Sequence, residues 1–172
     1  MAQTLALALA DGVTLPDKLV SLLGEMSGWV YGWDYKIQPL SLQGAELVGT
    51  LMVAQDGEAE GTEAKRVDCS GFSRWALYHL SGDKVAVPDG SVQQHQWFHA
   101  NGFDTCPVAD GHLTDGALRI FFLPPVGKEA GHVMLVFNGM TYESHGSAGP
   151  SSRSWGSQPF MHSCSGYVVA PA

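Results

Sequence analysis

Apolar positions in this chain change period part-way along. In the first half they recur every three to four residues, and in the last third they alternate or run continuously. Leu19, Leu22, Leu23 and Met26 share one face of a predicted helix running roughly from Leu15 to Trp29, with Pro16 in its first turn. Phe72, Trp75, Ala76 and Leu80 define a second helix from Cys69 to about Leu80. Asp68 stands at its N-cap and Gly82 just past its end. Ser91 caps a third, Val92 to Ala100, closed by Asn101-Gly102. From Ala117 onward the pattern predicts strands: Ala117–Leu123, stopped by Pro124-Pro125, then His132–Phe137 and Met140–His145 around Asn138-Gly139, and a closing strand Gly166–Ala170. Helices first and an antiparallel sheet second make an α+β arrangement.

The remaining stretches carry weaker patterns. Residues 1–14 read as an extended lead-in, and Trp29 to Trp33 as an aromatic turn around Gly32. Residues 34–66 are the least legible. Ala45 to Val53 fits either a strand or a short helix, and the acidic Gln55–Lys65 stretch reads as an exposed loop. Val85 to Val87 is a short extended piece before the turn Pro88-Asp89-Gly90, and Ser147 to Gln158 is a Gly/Ser loop.

Composition narrows the class. A chain of 172 residues with 45% hydrophobic and 15% charged residues predicts one globular domain over 1–172. A net charge of −8 leaves no basic footprint for nucleic acid and no polybasic attraction to anionic lipid. No apolar run is long enough to cross a bilayer. The short apolar piece Leu5–Ala10 lacks a positive flank and meets Asp11 at once, so it does not read as a signal peptide. Three cysteines cannot build a disulfide framework: either all are thiols, or Cys106 and Cys164 pair and leave Cys69 free.

The candidate chemistry begins at Cys69. In the first turn of a helix, unpaired backbone N–H groups and the positive end of the dipole favour thiolate over thiol. Such a nucleophile needs a base, and the later hairpin supplies one. With Asn138-Gly139 as a two-residue loop, Phe137 faces Met140, and counting back sets His132 opposite His145. Glu143 falls opposite Met134, on the same face and one step along the diagonal. One hairpin face therefore presents His132, Glu143 and His145 together. A cysteine, a histidine and a polar third group that orients the histidine form a thiol-nucleophile arrangement.

Metal readings are weaker. His95 and His99 stand four apart on one helical face, but Gln96 occupies the position of the glutamate base in a zinc protease. Cys106, His112, His162 and Cys164 lack the spacing of a zinc ribbon. No phosphate loop or dinucleotide fingerprint is present, and no metal or cofactor is expected.

The stretch Asp68-Cys69-Ser70-Gly71-Phe72 resembles the nucleophile motif of the NlpC/P60 family of papain-like cysteine peptidases. Val87-Pro88-Asp89-Gly90-Ser91-Val92-Gln93-Gln94 is similar to the family's Leu-Pro-Arg-Thr-Ser-x-x-Gln segment. Gly116–Phe122 resembles its Gly-Asp-Leu-Val-Phe-Phe strand, and Gly131-His132-Val133 with Asn138-Gly139 resembles its histidine hairpin. Trp29-Val30-Tyr31-Gly32 is a looser match to its Tyr-x-Trp-Gly segment. The matches come in the family's order across roughly residues 20–155. The resemblance implies a papain-like fold and hydrolysis of amide bonds in peptidoglycan stem peptides. Cys69 would be the nucleophile, His132 the base, and Asp68, Ser70, Trp29, Tyr31 and Ser91 substrate-binding positions. For the third catalytic residue, family spacing aligns Glu143, whereas direct cross-strand opposition ranks His145 slightly ahead.

The departures from the family are specific. Residues 33–68 form an insertion before the nucleophile, expected to shape specificity. Asp89 replaces the Arg of the Leu-Pro-Arg segment, and Ala117 the Asp of the Gly-Asp strand. The alternatives are a papain-like amidase or transferase acting on another amide, and a catalytically silent module such as a phage tail component. Without a signal peptide, a cell-wall hydrolase would stay cytoplasmic until injected by a delivery machine, released by lysis or otherwise exported. Any delivery or immunity partner is left unnamed by the sequence.

Overall fold

Thr14 begins the first helix with a capping box: its hydroxyl accepts from the Asp17 N–H, and the Asp17 carboxylate accepts from the Thr14 N–H. The helix α1 spans Leu15–Glu25 and buries Leu15, Leu19 and Leu22. It stops about a turn earlier than the apolar period predicts, because Gly28 at φ +81° turns the chain. Trp29 is then buried, and β1 (Val30–Tyr31) pairs in parallel with β2 (Arg66–Val67), where the aromatic cluster predicts only a turn.

A computed structural model describes residues 2–32, 66–127 and 130–172 of the chain. The expectations for Trp33, Ala45–Val53 and Gln55–Lys65 lie outside the described residues.

The helix α2 (Cys69–Leu80) is the centre of the molecule. All its residues except His79 are buried. It packs against β5 (His132–Phe137) and β6 (Met140–His145), and also touches α1 and α3 (Ser91–Ala100). Phe72, Trp75 and Leu80 are at most 1% exposed. Truncating such a side chain to alanine costs roughly 2–5 kcal/mol. Ser73 Oγ donates to Gln94 Oε1 at 2.8 Å, and Gln94 Nε2 donates to the Ser70 carbonyl at 2.8 Å. Gln94 thereby pins α3 to the first turn of α2.

The other strands are β3 (Thr105–Cys106), β4 (Leu118–Leu123), β7 (Gly149–Ser154) and β8 (Ser165–Ala170). They join β5 and β6 in a six-stranded sheet of order β3-β8-β4-β5-β6-β7, antiparallel throughout. The class is α+β, as the pattern predicts. Alternation sorts the strands onto two covered faces. Leu118, Ile120, Phe122, Val133 and Leu135 join the helices in the main core, while Phe121, Met134 and Val136 meet Trp155 and Met161 behind.

Asn138 (φ +48°) and Gly139 (φ +77°) make the two-residue turn expected of the Asn-Gly pair, with register Phe137↔Met140, Val136↔Thr141 and Leu135↔Tyr142. Two departures concern weakly patterned segments. The Gly/Ser stretch read as a loop contains β7, an edge strand zipped to all of β6 and carrying Pro150, which edges tolerate. The lead-in is tied down by Leu5 N–H donating to the Val169 carbonyl and Ala8 N–H to the Leu80 carbonyl. Among the described residues no helix is long and apolar enough to cross a membrane.

Candidate active site

Asp68 takes an extended backbone conformation (φ −88°, ψ −179°), and its side chain accepts from the Gly71 N–H at 2.7 Å and the Ser70 hydroxyl at 3.0 Å. That cap fixes Cys69 as the first residue of α2, before the first intrahelical bond from Phe72 N–H to the Asp68 carbonyl. Cys69 is 6% exposed. Asp68 and Ser70, expected as substrate contacts, are buried and bonded to each other at the helix start.

His132 begins β5, with the Cys69 thiol near enough to its ring to raise its pKa. The ring's Nε2 is bound to Glu143 Oε2 at 2.5 Å, which leaves Nδ1 for the thiol. Cys69, His132 and Glu143 thus stand in one row, with His132 bonded to Glu143 and next to Cys69.

The Glu143 side chain is fully buried, and four donors surround it. They are His132 Nε2, Thr141 Oγ1 (2.7 Å to Oε1), Arg153 Nε (2.8 Å to Oε1) and Arg153 Nη2 (3.0 Å to Oε2). Burial alone would raise its pKa, but the bonds to His132, Arg153 and Thr141 hold it well below the usual carboxylate range. Burial likewise opposes charge on His132, and the hydrogen bonds and charges of Cys69 and Glu143 reverse this and raise its pKa.

His145 does not serve as the ring's partner. Its Nε2 lies 3.1 Å from Ser151 Oγ, its register partner on β7 is Gly149, and burial lowers its pKa. The count that set it opposite His132 matches the observed turn register. The β5–β6 pairing, however, runs only from Phe137↔Met140 to Leu135↔Tyr142, short of His132 and His145, and it is the Glu143 side chain that reaches the ring.

Of the other expected contacts, Trp29 is buried in the main core at 6% exposure. Tyr31 is half-buried beside Cys69 and Asp68. Burial and those two charges push its phenol up to about 12, so it remains a neutral O–H donor. Ser91 is half-buried at the start of α3. Its hydroxyl would stand 3.0 Å from a Cβ built on Gly131, the neighbour of His132.

Sequence reasoning missed Thr141, Arg153 and Phe160. Thr141 shares the strand face of Glu143 by its period of two, a signal that was present. Arg153 sits in the segment read as a loop, and only β7 pairing brings it opposite Thr141. Phe160, in the 3₁₀ turn Pro159–Ser163, lies edge-on to His132 with ring centroids 5.8 Å apart, and its ring centroid is 5.5 Å from the Arg153 guanidinium carbon.

Among the described residues no group of three or more His, Cys, Asp or Glu side chains could hold a metal ion. His95 Nε2 instead meets Ser165 Oγ at 3.0 Å and Tyr167 Oη at 3.3 Å. All three cysteines are free thiols, so Cys106 and Cys164 do not pair.

Comparison with known proteins leaves these geometric relations to stand alone: no protein-family model matches the chain, and no curated protein matches it.

Proposed function

We propose that the chain is a cysteine hydrolase with a papain-like fold of the NlpC/P60 type, cutting amide bonds in peptidoglycan stem peptides. The observation that carries the reading is the row Cys69–His132–Glu143, with the thiol at the N-terminus of a buried helix. The ordered motif resemblance supplies the substrate class.

In this mechanism the Cys69 thiolate attacks the scissile carbonyl carbon, and His132 is the protonated partner across from it. The oxyanion that forms is met by the Cys69 backbone N–H, which precedes the first intrahelical bond, and by the neutral Tyr31 hydroxyl. His132 gives its proton to the leaving amine as the C–N bond breaks, and a thioester remains on Cys69. Water then attacks the thioester with His132 as base, which releases the carboxylic acid and restores the thiol. Glu143 keeps the ring oriented and steadies the imidazolium.

The site requires exposure to cell-wall material, so the protein acts after injection, lysis or export. Mass spectrometry of purified peptidoglycan digested with the protein tests the reading and identifies the bond. New amine and carboxylate ends in stem peptides are expected, and they should vanish in Cys69→Ala and in His132→Ala while the circular dichroism spectrum is kept. Full hydrolysis by either variant refutes the mechanism.

A further inference from the structure

Arg153 has no step in the proposed hydrolysis, yet it makes two of the four bonds to the Glu143 carboxylate. It comes from β7 directly opposite Thr141, and its backbone N–H also donates to Thr141 Oγ1 at 3.3 Å. Phe160 covers it on one side, and the same ring stands edge-on to His132. The side chain is 19% exposed, so its charge acts with little screening from solvent.

We propose that Arg153 is a positioning residue of this site: its two-point grip fixes the Glu143 carboxylate for His132, and its charge limits how tightly the His132–Glu143 pair holds a proton. The inference rests on the cysteine-hydrolase reading and adds the element that sets its acid–base balance.

The geometric half follows from the bonding. Thr141 Oγ1 and Arg153 Nε share Oε1, while Arg153 Nη2 and His132 share Oε2, so the carboxylate cannot rotate without breaking several charge-assisted bonds. The electrostatic half follows from the neighbours. The groups facing the pair are Cys69 on α2, His145 on β6, Arg153 on β7 and Cys164 after the Pro159–Ser163 turn, with Tyr31 on β1 facing Cys69. The Cys164 thiol, pushed up to about 12 chiefly by burial, is neutral near pH 7. Arg153 is the one member of this set that stays cationic at every working pH. Without it, Glu143 would spend its whole negative charge on His132, and an imidazolium held that tightly is a poor acid towards a leaving amine.

The test is a nitrogen-detected NMR titration of the His132 ring in the full chain, run on wild type, Arg153→Gln, Arg153→Lys and Cys69→Ala. Arg153→Gln should move the His132 titration up by about one pH unit. Arg153→Lys, which keeps the charge and loses the fork, should leave the titration near its wild-type position while kcat falls about tenfold through misplacement of the carboxylate. A folded Arg153→Gln whose His132 titrates as in wild type, or lower, overturns the proposal. Should Arg153→Gln fail to fold, Arg153→Lys decides: a wild-type kcat overturns the positioning role. Cys69→Ala separates this inference from the reading beneath it. Loss of the thiol should lower the His132 titration, and an unmoved titration there counts against the thiol–imidazole pair whatever Arg153 does.

Discussion

His132 and Glu143 meet along the diagonal of the β5–β6 hairpin, Nε2 to Oε2 at 2.5 Å, while His145 bonds Ser151 on the far side. Glu143→Gln keeps the shape of the side chain and removes its charge. It should lower kcat/KM for a stem-peptide substrate by roughly 10²–10⁴, the range for losing an acid–base group or its orienting partner. His145→Ala should stay close to wild type. The reverse ranking would return the orienting role to His145.

Thiol labelling should single out Cys69. Burial pushes Cys106 up to about 11 and Cys164 up to about 12, so neither is a ready thiolate at neutral pH. Site-resolved mass spectrometry after brief iodoacetamide treatment at pH 6–7 should find Cys69 modified first. Faster modification of Cys106 or Cys164 would remove Cys69 as the nucleophile.

Stability should depend on pH through the same pair. The folded-state pKa of His132 is raised to about 9, so its contribution is complete below its ordinary value of 6.5 and disappears as pH rises through about 9. Glu143 has the opposite sign. Lowered to about 2 from 4.5, it contributes above 4.5 and loses that contribution as pH falls through about 2. Urea midpoints of wild type and His132→Gln should therefore differ most near pH 6 and converge above pH 9. A gap that widens at alkaline pH would contradict the charged ring.

Gly149 is where β7 leaves the Gly146–Ala148 turn, at φ +64° and ψ −149°, a conformation open essentially to glycine alone. A Cβ there would stand 2.4 Å from the Trp29 carbonyl oxygen, a backbone atom that cannot swing aside. Gly149→Ala should cost on the order of 1–3 kcal/mol from backbone strain, with the clash added. It should also lower activity by displacing β7. A thermal melt coincident with wild type would show that the backbone relaxes freely.

What the sequence made legible follows the strength of local signals. The Asp68 cap, the apolar spacing of α2 and the Asn138-Gly139 turn are each decided within a few residues, and each stands where its pattern puts it. Those three set Cys69, His132 and Glu143 near one another. The strand β7 was invisible because Gly, Pro and Ser have little strand preference of their own, and its pairing is imposed by the edge of β6. Arg153 was lost with it. His145 outranked Glu143 because counting register gives positions of Cα atoms, while the choice of partner depends on side-chain reach.

The row Arg153–Glu143–His132–Cys69 has an uneven origin along the chain. Its first three members come from β5, β6 and β7, consecutive strands joined by short connections, whereas the thiol arrives from a helix far upstream. Contacts that are local in sequence close sooner than distant ones. The meander can therefore gather its charges before α2 settles onto it. Under the proposed function, nucleophilicity would follow from that last long-range docking event, and the rate at which Cys69 becomes alkylable during refolding would time it directly.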